Sequence, residues 1–222
     1  MYSSKFIKFG NKREKIPNIT DYLMDIYKED PNITIAIGCD SAQKRRTTLY
    51  ANTIVLYNHD IRNGANIIYY KESLPKIRDR FQRLHKEAEY MNKIGTWLHN
   101  ELEERGFVRN DINVLERKRY KFSQMLEDGT YKNLPLHEHS NFIEKIHLTE
   151  EELNKEYKLV DIHLDLNPIE YSKEQKHNKS YQVYKIAVPW LRGFDFRVYP
   201  KALSYAATSA ADLLLKEFEK DS

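Results

Sequence analysis

The chain has 222 residues, of which 36 are basic and 33 acidic, and this balance excludes a polybasic or strongly acidic protein and fits a globular one. Its single cysteine, Cys39, excludes an internal disulfide and favours a reducing compartment. No stretch approaches the about 18 apolar residues of a membrane span. The N-terminus also lacks the apolar core of a secretory signal, so we expect a cytoplasmic protein.

The first half of the chain predicts a helix, three strands and a second helix. Residues 1–32 are typical of a leader followed by one helix that packs on the core and ends at Asp30 and Pro31. Three strands with short connections come next, which predicts an antiparallel meander. They cover residues 33–38, 49–57 and 65–70. A long helix then runs from 77 to about 105, with Gly106 as its stop.

The second half alternates strands and helices within one domain that spans 33–222. Residues 107–157 are charged and are interpreted as an insertion in that domain. The remaining elements are a strand at 157–167, a helix at 181–190, a strand at 194–199 and a helix at 200–220. We therefore predict an α/β fold with a mixed central sheet, an antiparallel meander plus parallel strands, flanked by helices.

Two acids lie near the ends of predicted core strands. Asp40 follows a nearly continuous apolar run, at the edge of an α/β sheet where ligands gather, although an Asx-turn is the alternative. Asp165 shares the polar face of its strand with Asp161 and His163. This face either lines a site or meets solvent.

Two further acids come from predicted helices. Glu87 lies on the border of an apolar helical stripe, whereas Glu89 shares a face with polar residues, so Glu87 is the better candidate to face the sheet. Asp212 follows a run of small residues that lets a helix approach a sheet closely. The alternative for Asp212 is an ordinary surface acid.

None of these acids has an obvious arginine or lysine partner in the sequence, so they can converge only around a cation. Oxygen-only ligands suit Mg²⁺ or Mn²⁺, and two such ions catalyse phosphodiester hydrolysis. The spacing of the acids leaves open whether they converge.

Three stretches resemble the YkuK-type family of predicted ribonuclease H-like proteins from bacteria and their phages. They are IGCDSAQ, VDIHLDLN and PKALSYAATSAAD, which contain Asp40, Asp165 and Asp212 in chain order. The resemblance implies a ribonuclease H-like fold in which these acids and Glu87 bind two Mg²⁺ or Mn²⁺ ions and hydrolyse nucleic acid. The sequence departs from the pattern at Asn167, where a glycine is expected after the strand acid.

Several other residues are candidates for supporting roles. Basic residues near the acids are expected to contact phosphates, namely Lys44, Arg45, Arg46 and Lys201. His163 and Tyr205 are candidate neighbours of the metal ligands, and His163 is alternatively a general base or a satisfied strand histidine.

Two other functions remain open. The first is a catalytically silent module of the same fold that binds nucleic acid or a protein partner. The second is a nucleotide-hydrolysing relative of the actin-like ATPases, for which the seven glycines offer no phosphate-binding loop. The sequence does not distinguish DNA, RNA and hybrid substrates.

Overall fold

The computed structural model describes residues 2, 5–10, 14–58, 65–109, 156–168, 179–201, 204 and 206–220. The strands are β1 Ile7–Lys8, β2 Ile33–Gln43, β3 Thr47–Asn58, β4 Asn66–Pro75, β5 Asp161–His163 and β6 Arg197–Tyr199. The α-helices are α1 Ile19–Glu29, α2 Arg80–Glu104, α3 Lys179–Arg192 and α4 Asp212–Lys220, and α4 is preceded by a π-helix, Ala206–Ala211. Most of the predicted insertion at 107–157 lies outside the described residues.

The strands form one six-stranded sheet in the order β1-β4-β3-β2-β5-β6. The pairs β2/β3 and β3/β4 are antiparallel, and the pairs β2/β5 and β5/β6 are parallel. The predicted mixed α/β sheet, with its meander and its parallel strands, is therefore confirmed. The short edge strand β1, which pairs with β4 in antiparallel fashion, was not predicted.

Strand β2 is longer than the sequence pattern predicted. It pairs with β3 all the way to Gln43, so the expectation that the strand ends before Asp40 is wrong. Its pairing with β5, by contrast, covers only Ala36 to Gly38, and the last pair joins Gly38 to His163. Asp40 and Asp165 each lie two residues beyond this pair, at the point where the two strands are no longer hydrogen-bonded.

The two faces of the sheet pack against different helices, α2 on one face and the π-helix on the other. The odd-numbered residues of β2, such as Ile35 and Ile37, belong to the main core with the buried face of α2. On the other face Ala36 and Val55 pack against small residues of the π-helix. Helix α2 approaches the sheet so closely that a Cβ atom at Gly95 would lie 2.8 Å from the Phe196 ring.

The C-terminal segment is not the uniform helix that was predicted for 200–220, because its small-residue half is a π-helix. Ala206 at its start has both backbone groups bound by side chains of the sheet. Thr53 Oγ1 donates to the Ala206 carbonyl at 2.8 Å, and the Ala206 N–H donates to His163 Nδ1 at 3.3 Å. The π-helix ends at Ala211, so Asp212 is the first residue of α4.

The predicted strand at 157–167 is also shorter in the structure, since only Asp161–His163 pairs as a strand on both sides. None of the helices in the described part of the chain has the length and apolar character needed to cross a membrane.

Candidate active site

A cleft with a volume of about 230 Å³ lies at the point where β2 and β5 separate. Its walls come from β2, α2, the segment after β5, the start of α3 and Lys201, two residues after β6. Charged residues dominate the lining, namely Asp40, Glu87, Asp165, Arg80, Arg83 and Lys201. Successive strand residues alternate between faces, so Asp40 and Ser41 point to opposite sides of the sheet. The opening between β2 and β5 beyond Gly38 lets groups from both faces meet.

Asp40 lies in an electronegative part of this cleft. The backbone N–H of Ser41 donates to Asp40 Oδ1 at 2.7 Å. Burial raises the pKa of Asp40 to about 6, and the charges of Asp165 and Asp212 add to the increase. The Ser41 N–H and the Arg83 guanidinium act in the opposite direction and lower this pKa. A carboxyl with this pKa is about half protonated near pH 6 and mostly ionised at pH 7.

Glu87 reaches the cleft from α2 and is only 3% exposed. The Ser41 hydroxyl donates to Glu87 Oε1 at 2.5 Å. Burial raises the pKa of Glu87 well above its usual range, and the nearby Asp40 charge adds to the effect. Glu87 is therefore a buried acid held by one hydroxyl and surrounded by other acids.

Glu89 does not line the cleft. It lies 2.7 Å from Lys86 and 3.3 Å from His85, and the hydrogen bond from Lys86 lowers its pKa. The structure thus brings Glu87, and not Glu89, to the other acids.

Asp165 lines the cleft beside Lys201, whose Nζ is 3.1 Å from Asp165 Oδ1. That oxygen is buried, and its contact with the Lys201 ammonium is an ion pair without hydrogen-bond alignment. Asp212 does not line the cleft, but its charge acts on Asp40, and its Oδ2 accepts a hydrogen bond from Lys216 at 2.6 Å. The expectation that these acids lack basic partners is wrong for both.

Most of the residues that were expected to support the acids do not line the cleft. Lys44, Arg45 and Arg46 form the turn between β2 and β3 and do not line the cleft. His163 is buried and binds the Ala206 N–H through Nδ1, so it anchors the π-helix. Tyr205 lies outside the described residues.

The sequence interpretation missed two arginines of the cleft, Arg80 and Arg83. Arg83 donates from Nη1 to the Ser41 carbonyl at 2.9 Å and so fixes the backbone next to Asp40. Both arginines lie on the Glu87 face of α2, at spacings of three and four residues. That helical spacing is the signal that would have identified them.

The candidate donors for the expected Mg²⁺ or Mn²⁺ are the carboxylate oxygens of Asp40, Glu87, Asp165 and Asp212. The candidate ligands are all of the kind that these ions prefer, and the buried Asp165 Oδ1 already has a cation beside it, the Lys201 ammonium at 3.1 Å. In the described part of the chain, however, no group of three or more acidic, histidine or cysteine side chains is arranged to hold a metal ion. The chemistry of the donors fits the ions, but the described side chains do not form a ready-made metal site, and Lys201 and Lys216 contact Asp165 and Asp212 where the ions would bind.

A family model described as ribonuclease H-like matches residues 18–216. The chain belongs to the ribonuclease H-like family. The ribonuclease H-like match includes every element from α1 to most of α4, and with them all the acids considered above. No curated protein and no solved structure shows a significant match to the chain.

Proposed function

We propose that this ribonuclease H-like protein is a metal-dependent nuclease that hydrolyses phosphodiester bonds in nucleic acid. One observation carries the proposal: Asp40, Glu87 and Asp165 come from three separate elements and line one cleft, with Asp212 within electrostatic reach. Burial and neighbouring carboxylates raise the pKa of Asp40 and of Glu87, and such acids are unfavourable for folding unless a ligand uses them. The YkuK-type relationship and a bacterial or phage origin remain predictions.

In this proposal Asp40 and Asp165 hold two Mg²⁺ or Mn²⁺ ions, Glu87 binds one of them, and Asp212 completes the second position. When bound, such ions activate a water and stabilise the leaving oxygen. The protein supplies the orientation of the carboxylates. Ser41 fixes both Asp40 and Glu87, because its N–H binds the first and its hydroxyl binds the second.

The cations of the cleft have a second role in the proposal, which is to bind substrate phosphates. Lys201 is 57% exposed although its Nζ is close to Asp165, so it can turn from the carboxylate to a phosphate. Arg80 lines the cleft from an exposed position at the start of α2. Positive groups of this kind attract a polyanion without reading its sequence.

The direct test is cleavage of labelled single-stranded, duplex, hybrid and junction substrates in Mg²⁺ or Mn²⁺. We expect wild type to cut at least one of them, and we expect Asp40→Asn to cut it at least about a hundredfold more slowly. Asp25→Asn is the matched control, since Asp25 is an exposed acid on α1 that pairs with Lys28 one helical turn away. Circular dichroism of each variant checks that the fold is intact.

A catalytically silent module is the second candidate, and the lysine contacts of Asp165 and Asp212 favour it. Lysines that neutralise these acids permanently would remove both the need for an ion and its binding site. If wild type binds nucleic acid but cuts no substrate with either metal, the protein is a catalytically silent binding module and the proposed nuclease function is wrong.

A further inference from the structure

Four ring side chains form a continuous row on the surface shared by α2 and α3, which we call the aromatic row. Its members are Phe81, His85, Trp190 and Phe194. Phe81 and His85 are stacked with centroids 6.2 Å apart, and His85 stacks on Trp190 at 6.1 Å. Trp190 then meets Phe194 edge to face at 5.6 Å. The row therefore links the start of α2 to the residues that follow α3.

The aromatic row is partly exposed and begins beside the cleft: Phe81 and Trp190 are half-buried and pack against the main core, whereas His85 and Phe194 are more open to solvent. Phe194 is 43% exposed, and the His85 side chain is 34% exposed. Phe81 directly follows Arg80, which lines the cleft, and Ser180 at the start of α3 lines it too. A ligand in the cleft thus finds the first ring one residue beyond a cleft arginine.

Cationic residues accompany the rings along the chain. Arg80 precedes Phe81, Lys86 follows His85, and Arg192 lies between Trp190 and Phe194. Acids border the row as well: Asp79 caps α2 before Phe81, Asp195 follows Phe194, and Glu89 is paired with Lys86 at 2.7 Å and with His85 at 3.3 Å. Flat rings interleaved with cations suit a ligand that combines flat apolar faces with negative charge.

We propose that the aromatic row binds the unpaired bases of a single-stranded nucleic-acid segment that leads into the cleft. Every base has a π-face that can stack on an aromatic ring, whereas the faces of duplex bases are covered by their neighbours. The row accordingly selects substrates with a single-stranded tail next to the site of cleavage. This inference rests on the proposed function, since it assumes that nucleic acid occupies the cleft.

The first test is binding of labelled duplexes with and without a single-stranded tail. We use Asp40→Asn in Mg²⁺ and wild type in EDTA, so that no substrate is cut. We expect the tail to tighten binding about five- to tenfold, and we expect Phe194→Ala to remove most of that gain. Val108→Ala is the control, because Val108 is an apolar residue beyond the far end of α2 that is even more exposed than Phe194.

The second test uses tryptophan fluorescence of Trp97→Phe, in which Trp190 is the remaining tryptophan of the chain. We expect a single-stranded oligonucleotide to quench this fluorescence. If no nucleic acid binds in either test, the proposed function itself fails. If nucleic acid binds but Trp190 is not quenched and Phe194→Ala binds normally, the inference is wrong and the proposed function stands. It is also wrong if Phe194→Ala turns a dimer into a monomer in sedimentation, since the row would then contact protein.

Discussion

Asp40 shows how the surroundings of a single carboxyl can lower the stability of the folded chain. Its carboxyl lies where β2 loses its partner β5, close to Asp165 and within reach of the Asp212 charge. Burial and these charges favour the neutral acid over the carboxylate. A bound cation would reverse that preference.

This residue gives a pH-dependence that can be measured without any substrate. The pKa of Asp40 rises from 3.8 to about 6 on folding, so the folded state keeps a proton that the unfolded chain has already released. Stability should therefore fall as the pH increases from about 4 to beyond 6, by about 3 kcal/mol for this group. Asp40→Asn cannot ionise, so its stability relative to wild type should increase over the same range.

Urea unfolding in EDTA at several pH values measures this difference. Asp25→Asn, with its exposed carboxyl, should follow wild type at every pH. A constant difference between wild type and Asp40→Asn from pH 4 to 8 would contradict the assigned environment.

The sequence allowed the acids to be found but not their partners. Asp40 was recognisable because it follows a local apolar run, although β2 continues past it to Gln43, and Glu87 was recognisable because helical phase is a local property of the chain. Lys201 lies far from Asp165 in sequence, and nothing local indicates that the two approach within 3.1 Å. Lys216 is four residues after Asp212, a helical spacing that does predict a contact and was overlooked.

The π-helix is the element that fixes the position of the last acid. Its first residue, Ala206, is held by Thr53 and His163, and its last residue precedes Asp212. A π-helix has a wider turn than an α-helix and is frequently found at functional sites. Any change in where this segment begins would rotate Asp212 around the helix axis.

Thr53→Val tests this positioning role. The change removes a buried hydrogen bond and should reduce the free energy of unfolding by about 1 kcal/mol. We also expect at least about tenfold weaker Mn²⁺ binding in calorimetry, because Asp212 would lose its fixed position. Thr34→Val is a matched control, since the Thr34 hydroxyl makes a comparable bond to the Tyr57 carbonyl elsewhere in β2 and β3. Equal metal affinity in the two variants would show that Thr53 serves stability alone.

Elements with a strong local pattern were predicted well, and elements that depend on tertiary contacts were not. The meander and α2 have regular apolar periodicity, and their existence and pairing were confirmed. Strand β1 has two residues, too few for any periodicity. The π-helix has the composition of an α-helix, and its geometry depends on contacts with β3 and β5 that the sequence does not reveal.

At the scale of the whole molecule, the proposed ions should act as stabilising ligands. Binding to the folded state alone adds about 2.7 kcal/mol at a hundredfold excess over Kd, which corresponds to roughly 5–10 °C in Tm for a chain of this size. We expect this increase for wild type in Mn²⁺, because the ions relieve the repulsion between the cleft acids. Differential scanning fluorimetry measures it.

Asp40→Asn should lose most of the Mn²⁺-dependent increase in Tm, and Asp25→Asn should retain it. An equal increase in all three proteins would mean that Mn²⁺ binds elsewhere. No Mn²⁺-dependent increase in the Tm of wild type would indicate that Lys201 and Lys216 remain bound to Asp165 and Asp212 and exclude the ions.

The parallel pairing of β2 with β5 also determines when the cleft can form during synthesis. The meander joins strands that are consecutive in the chain, so it can fold early, whereas β5 arrives only after α2 and the segment that follows it. Asp165 and Asp212 emerge from the ribosome long after Asp40. A nascent chain can therefore contain a folded meander while it lacks half of these four carboxylates, and the complete set exists only after Asp212 has been synthesised.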